Sequence, residues 1–191
     1  IDRLDDLKAI SNNIYLYGSF VVCPLSLYLW LIRMEPFTSL HIKLQSGKFD
    51  NPSRIFNSIE DAFSLSTSHI NDYRELIPEF YFQPDFLTND NNFDLGLSKG
   101  ERVNDVKLPK WAKSPIDFVY KLRKALESDY VSENINNWID LFWGYKQSGE
   151  AGWKAYNIYN NDIYKEAWTK ETLNDPIRKS EIEASMCHIG Q

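Results

Sequence analysis

Behind Ser114-Pro115-Ile116-Asp117, apolar residues return at helical spacing as Phe118, Leu122, Ala125 and Leu126. The opening tetrapeptide supplies a capping hydroxyl, a first-turn proline and an acidic third position, so a helix is predicted to begin at Pro115. A second stripe, Ile135, Trp138, Ile139 and Phe142, falls at i, i+3, i+4 and i+7 behind Ser132. It predicts a core-facing helix capped by Ser132 and ended by Gly144 in a left-handed turn. Pro24 opens another helix over Leu25 to Arg33, within the apolar run Phe20 to Ile32, and Pro36 stops it. Ser58 with Glu60 and Asp61 starts a short helix that weakens in the Ser64 to Ser68 cluster, and Asp175-Pro176 starts a last one carrying Ile177, Ile182 and Met186.

Between Leu76 and Pro109 neither the 3.6 nor the 2.0 period is clean, and Pro78, Pro84, Gly96, Gly100 and the Asn89 to Asn92 tract are breakers. Yet the stretch holds Phe80, Tyr81, Phe82, Phe86 and Phe93. Five exposed rings would form an adhesive patch, so this segment is expected to be irregular backbone packed inside the fold, with a hairpin over Leu95 to Lys107 turning at Lys99-Gly100. Buried backbone without regular structure needs side-chain partners, and Glu75, Glu79 and Gln83 are candidates.

Composition narrows the function classes. In 191 residues, 43% are hydrophobic and 15% aromatic, enough apolar surface for one core. With 21 Lys and Arg against 27 Asp and Glu, the net charge of −6 opposes a polyanionic partner, and no nucleic acid is expected. The cluster Lys121, Arg123 and Lys124 reads as a solvated face. Cys23 and Cys187 lie far apart and no Asn-x-Ser/Thr acceptor is present, which favours a reducing compartment. The start, Ile1-Asp2-Arg3-Leu4-Asp5-Asp6, lacks the features of a signal peptide, and the chain reads as a piece of something larger.

Catalytic constellations are sparse. His41, His69 and His188 share no metal-ligand spacing, and neither a nucleophile elbow nor a glycine-rich phosphate loop occurs, so no metal, cofactor or catalytic residue is expected. Glu75 with Glu79, and Asp129 with Glu127, are close enough in sequence to act as an acid/base pair, and a hydrolase could be argued from Glu75 or Glu79; structural pairing with backbone or with Arg33 and Arg74 is the plainer reading. The run Trp138 to Gln147 sets Asp140, Lys146 and Gln147 among bulky rings including Tyr145. It suits a helix end locked into a core, or part of a partner groove.

Several ordered blocks carry a family resemblance: Tyr17-Gly18-Ser19, Leu31 to Thr38 with Arg33 and Glu35, Leu44 to Asp50, Glu75 to Tyr81, Phe93 to Gly96, Leu108 to Ala112, Ala125 to Ser132, and Trp138 to Gln147. Together they resemble the BEACH domain of the neurobeachin and Chediak-Higashi proteins. Departures exist: Ser19-Phe20-Val21-Val22 stands where the family carries Thr-His-Tyr-Ser, and residues 157–172 match loosely. The resemblance implies a mostly α, multihelical domain around a core of irregular extended segments, with residues 1–191 a single fragment lacking the family's first third. Such a gap is expected to leave apolar rings uncovered, from Tyr15, Tyr17 or the Phe20 to Trp30 run.

The resemblance further implies a non-catalytic scaffold module of vesicle trafficking, lysosome biogenesis and autophagy. Its expected partners are an upstream pleckstrin-homology-like domain of the same polypeptide and trafficking proteins, with WD40 repeats downstream. It is expected to be cytoplasmic and at most peripheral on endomembranes. A hydrolase using Glu75 or Glu79 and a purely architectural domain are the alternatives.

Overall fold

The structure, a computed structural model, describes residues 24–68, 76–159 and 174–181. The chain forms two compact units, the first holding residues 24–68 and 76–131 and the second residues 132–159 and 174–181.

The first unit is helical at its edges and irregular at its centre. Helices α1 (Pro24–Trp30), α2 (Phe37–Leu44) and α3 (Ile59–Ser68) precede two 3-10 turns, Pro78–Tyr81 and Pro84–Leu87, each opened by its proline. A two-residue hairpin pairs β1 (Leu97–Ser98) with β2 (Glu101–Arg102) antiparallel, and α4 (Pro115–Leu126) closes the unit. Lys99 and Gly100 both have positive φ, the twist a two-residue hairpin requires, so the turn falls where the sequence placed it. Helix α4 also begins as expected: Asp117 N–H donates to Ser114 Oγ at 3.1 Å, and Lys113 N–H donates back to Asp117 Oδ2 at 2.8 Å. Its inward residues are Phe118 and Val119, with Leu122 packed beside them, while Ala125 and Leu126 of the expected stripe stay outside.

Aromatic rings from the irregular segment form the core. Trp30 meets Phe56 and Phe80 edge-on at centroid distances of 4.6 and 5.0 Å, and Phe80 meets Phe86 at 4.8 Å. Leu31, Leu87, Val106 and Phe118 complete this cluster, and Ile32, Ile55, Leu95 and Val103 form a second one. Of the segment's five rings Phe80 and Phe86 are therefore interior, as the ring density predicted, and Tyr81 and Phe93 half-buried, while Phe82 is exposed, as are Leu76 and Leu97. Its backbone is held by strand-like bonds to other irregular chain: Val106 N–H to Leu87 O, Lys107 N–H to Asn57 O and Ile59 N–H to Lys107 O, at 2.8 to 3.0 Å. Gly96 is required twice over, by a φ of +82° and by a Cβ position that would lie 2.5 Å from Pro52 Cγ.

Several expectations change. Trp30, named among the rings expected to be uncovered, is core, and the others of that group before Pro24 lie outside the described residues. Helix α3 continues through the serine cluster to Ser68, where the Ser66, Thr67 and Ser68 hydroxyls find partners in the carbonyls of Ala62, Phe63 and Ser64. Helix α2 was not predicted: its two buried residues are polar, Thr38 and His41, while Leu40 and Leu44 of its apolar spacing are exposed. Thr38 donates to Ile32 O at 2.7 Å, and the exposed Glu35 accepts from both the backbone and the hydroxyl of Ser39.

Helix α5 (Asp129–Phe142), of which residues 132–142 belong to the second unit, and α6 (Gly149–Lys154) are separated by a tight turn. Helix α5 starts a turn earlier than the expected Ser132 cap, with Val131 N–H directed at Ser128 Oγ. Gly144 bonds back to Ile139 O at 3.0 Å but is not left-handed. A Cβ there would sit 2.6 Å from Asp140 Cα, so close approach rather than φ demands glycine. Residues 176–181 are helical, and Asp175 Oδ1 accepts from Ile177 and Arg178 N–H as the cap signal predicted. Ile177 is exposed, and Ile182 and Met186 lie outside the described residues.

Candidate functional site

The described residues assemble two polar or aromatic constellations, one buried and one exposed. The buried one surrounds Arg33. Leu31, Ile32 and Arg33 are consecutive and all buried, which only the non-helical stretch between α1 and α2 permits, since each can then point a different way. Arg33 Nε donates to Asn104 O at 2.8 Å and Nη1 to Phe56 O at 2.7 Å. Burial pulls its guanidinium down to about 10, and the charge of Asp105 opposes that pull. Nη2 is enclosed without a hydrogen-bond partner.

Asparagines extend this hub. Asn91 donates to Arg33 O at 3.1 Å; Asn89 donates to Phe93 O and Asn104 Oδ1 and accepts from Phe93 N–H; Asp105 Oδ1 accepts from Asn89 N–H at 2.8 Å. Among the described residues these groups, and not Glu79 or Gln83, satisfy the irregular backbone. Glu75 lies outside the described residues, Glu79 Oε2 is enclosed without a partner, and Gln83 bonds to Asp85. The Asn89 to Asn92 tract was legible only as a breaker; its carboxamides, able to donate and accept at once, were the overlooked signal. The arrangement ties the irregular segment to Arg33 through bonds that run from the interior to the exposed side chains of Asn91, Asn104 and Asp105.

The exposed constellation lies at the end of α5. Trp138 is 47% exposed, Trp143 69% and Tyr145 67%, and no residue of α5 is buried. The expectation that Ile135, Trp138, Ile139 and Phe142 form a core face is therefore corrected. The stripe is continuous, but in the described structure its rings pack on one another along the surface. Trp138 lies edge-on to Trp143 at 4.9 Å and tilted on Phe142 at 5.1 Å.

Beside them Lys146 Nζ lies 5.3 Å from the centre of the Tyr145 ring and 3.7 Å from Asp140 Oδ2, while Gln147 is exposed. The turn is held from beneath by Asn157, whose amide donates to Leu141 O at 2.8 Å and to Lys146 O at 3.0 Å. The structure thus brings Trp138, Asp140, Tyr145, Lys146 and Gln147 together, and keeps Arg33 and Glu35 in the other unit. Asn157 was not singled out from sequence, having no pattern around it. A platform of rigid rings beside an amine suits recognition of another surface.

Among the described residues no group of His, Cys, Asp and Glu is placed to hold a metal ion, and no helix is long and apolar enough to cross a membrane. Comparison with known proteins is specific. The chain is 44% identical over 179 residues to BEACH domain-containing protein B of Arabidopsis thaliana, covering 93% of this chain and 7% of that protein. It is also 44% identical to Protein SPIRRIG of the same plant, covering 92% of this chain and 5% of that protein. The chain thus spans less than a tenth of the length of these relatives. The sequence model of the Beige/BEACH domain matches residues 1–191. With that match over its whole length and a mostly helical fold around an irregular core, the chain belongs to the BEACH domain family.

Proposed function

We propose that this chain is a contact module of a larger trafficking protein, working by docking and not by a reaction of its own. The observation that carries the reading is the cluster of exposed rings Trp138, Trp143 and Tyr145, with Phe142 half-buried among them, beside Lys146. Rigid aromatic side chains lose little entropy on docking and dominate binding energy where they are desolvated. The Arg33 hub is the support: both of its donated bonds go to main-chain carbonyls of the irregular core. The partners of this reading are a pleckstrin-homology-like domain upstream in the same polypeptide and proteins of vesicle, lysosome or autophagy traffic, with the whole assembly cytoplasmic and peripheral on endomembranes.

Titration calorimetry of residues 1–191 with the upstream domain supplied separately tests it. Binding that Trp143→Ala and Tyr145→Ala weaken by at least about tenfold, the loss of about 1.4 kcal/mol, supports the reading. Undiminished binding by folded variants removes the assigned surface.

A further inference from the structure

The outer face of α4 and the loop before it carry charge of the opposite sign to the rest of the chain. Residues 110–124 hold five basic side chains, Lys110, Lys113, Lys121, Arg123 and Lys124, and one acidic one, Asp117, a net charge of +4 inside a chain of net −6. Asp117 is occupied with Lys121 at 2.8 Å and with the Lys113 backbone. The side chains of Lys110, Lys113, Arg123 and Lys124 are exposed and have no ion-pair or hydrogen-bond partner among the described residues. Glu127 and Asp129 bound the patch at the far end of the helix.

Large apolar groups stand among these cations. Ile116 is 71% exposed and Tyr120, one turn on, 62%; Trp111 is 47% exposed, stacked on Phe118 at 5.4 Å with Lys121 Nζ 6.0 Å from its centre. At 100° per residue Ile116, Tyr120 and Lys124 share the side of α4 away from Phe118 and Val119, and Lys121 leads round to Trp111. Amines that reach phosphates beside a tryptophan, a tyrosine and an isoleucine that enter the headgroup layer are the chemistry of an interfacial anchor. The outward side of one helix is a ridge, which a flat lipid surface accepts and an extended acidic peptide, which needs a groove, does not.

From this we infer that α4 and the loop 110–113 rest on an anionic phospholipid surface, with Lys110, Lys113, Arg123 and Lys124 facing headgroup phosphates and Ile116 and Tyr120 reaching the acyl boundary. The inference deepens the peripheral-membrane part of the proposed function and rests on that part alone. Its test is co-sedimentation of residues 1–191 with vesicles of phosphatidylcholine alone or containing about 30% phosphatidylserine. The chain binds the anionic vesicles, and binding falls away as added salt shortens the screening length below about 10 Å. The charge reversal Lys110→Glu/Lys113→Glu/Lys124→Glu weakens binding by well over tenfold, at about fivefold for each cation removed. Ile116→Ser/Tyr120→Ser weakens it in a salt-independent way.

Circular dichroism identical to the parent's qualifies each variant. Anionic vesicles bound equally by parent and charge-reversed chain overturn the inference and leave peripheral attachment standing through another surface. No binding to anionic vesicles overturns the inference and leaves attachment of the assembly to its other parts, and capture of a polyglutamate peptide instead of vesicles assigns the patch to an acidic protein.

Discussion

Replacing Arg33 by methionine keeps most of the side-chain volume and removes both of its donors. Phe56 O, buried and bonded at 2.7 Å, then faces an interior without a substitute, while Asn104 O, bonded at 2.8 Å on an exposed residue, can turn to water. An orphaned buried acceptor costs about 1–3 kcal/mol. One effect opposes this. The guanidinium itself is desolvated, as its fall to about 10 records, and methionine relieves that penalty. The net expectation is about 1–2 kcal/mol, a sizeable share of a domain's total stability, and a melting temperature lower by roughly 2–8 °C. Arg33→Lys, which keeps the charge but cannot reach both carbonyls in one plane, falls between. Urea titration at pH 7 read by tryptophan fluorescence measures both, with the slope in denaturant checking that the unfolded state is unchanged. A methionine variant within about 0.5 kcal/mol of the parent refutes the claim that Arg33 organises the irregular core.

Three further outcomes are expected. Burial lowers the pKa of His41, with the charge of Asp50 opposing it, so the folded chain takes up that proton at a lower pH than the unfolded chain, whose value is 6.5; stability is then lost as pH falls below about 6.5, and His41→Gln flattens that slope in acid titrations of the melting temperature. Gly96→Ala, strained by φ and driven against Pro52, lowers stability by about 1–3 kcal/mol in the same urea assay. Ser114→Ala removes the α4 cap bond and costs about 1 kcal/mol, whereas Ser114→Asp, which retains an acceptor, restores most of it.

Sequence patterning revealed what depends on local chemistry. The α4 cap, the Lys99-Gly100 turn and the interior placement of Phe80 and Phe86 each follow from residues adjacent in the chain. Helix α2 was hidden because Thr38 and His41 face inward, and burial of polar groups depends on partners such as Ile32 O that no period encodes. The α5 stripe misled for the converse reason. A period of 3.6 says that apolar residues share a face, not that the same chain covers it, so Trp138 on a core and Trp138 on a docking surface give the same pattern. Arg33 was recognised as a structural group, but its acceptors are main-chain carbonyls, which exist at every position and leave no trace in residue identity.

The central claim is that the rings at the end of α5 serve contact and not the core. Its most direct measurement pairs stability with binding in Trp143→Ala/Tyr145→Ala, both side chains being mostly exposed. The account predicts a midpoint of unfolding within about 1 kcal/mol of the parent, since little buried area is lost, together with at least about tenfold weaker binding of the upstream domain. A variant destabilised by about 3–5 kcal/mol, the cost of emptying a packed aromatic site, or one that binds the domain as tightly as the parent, would contradict it.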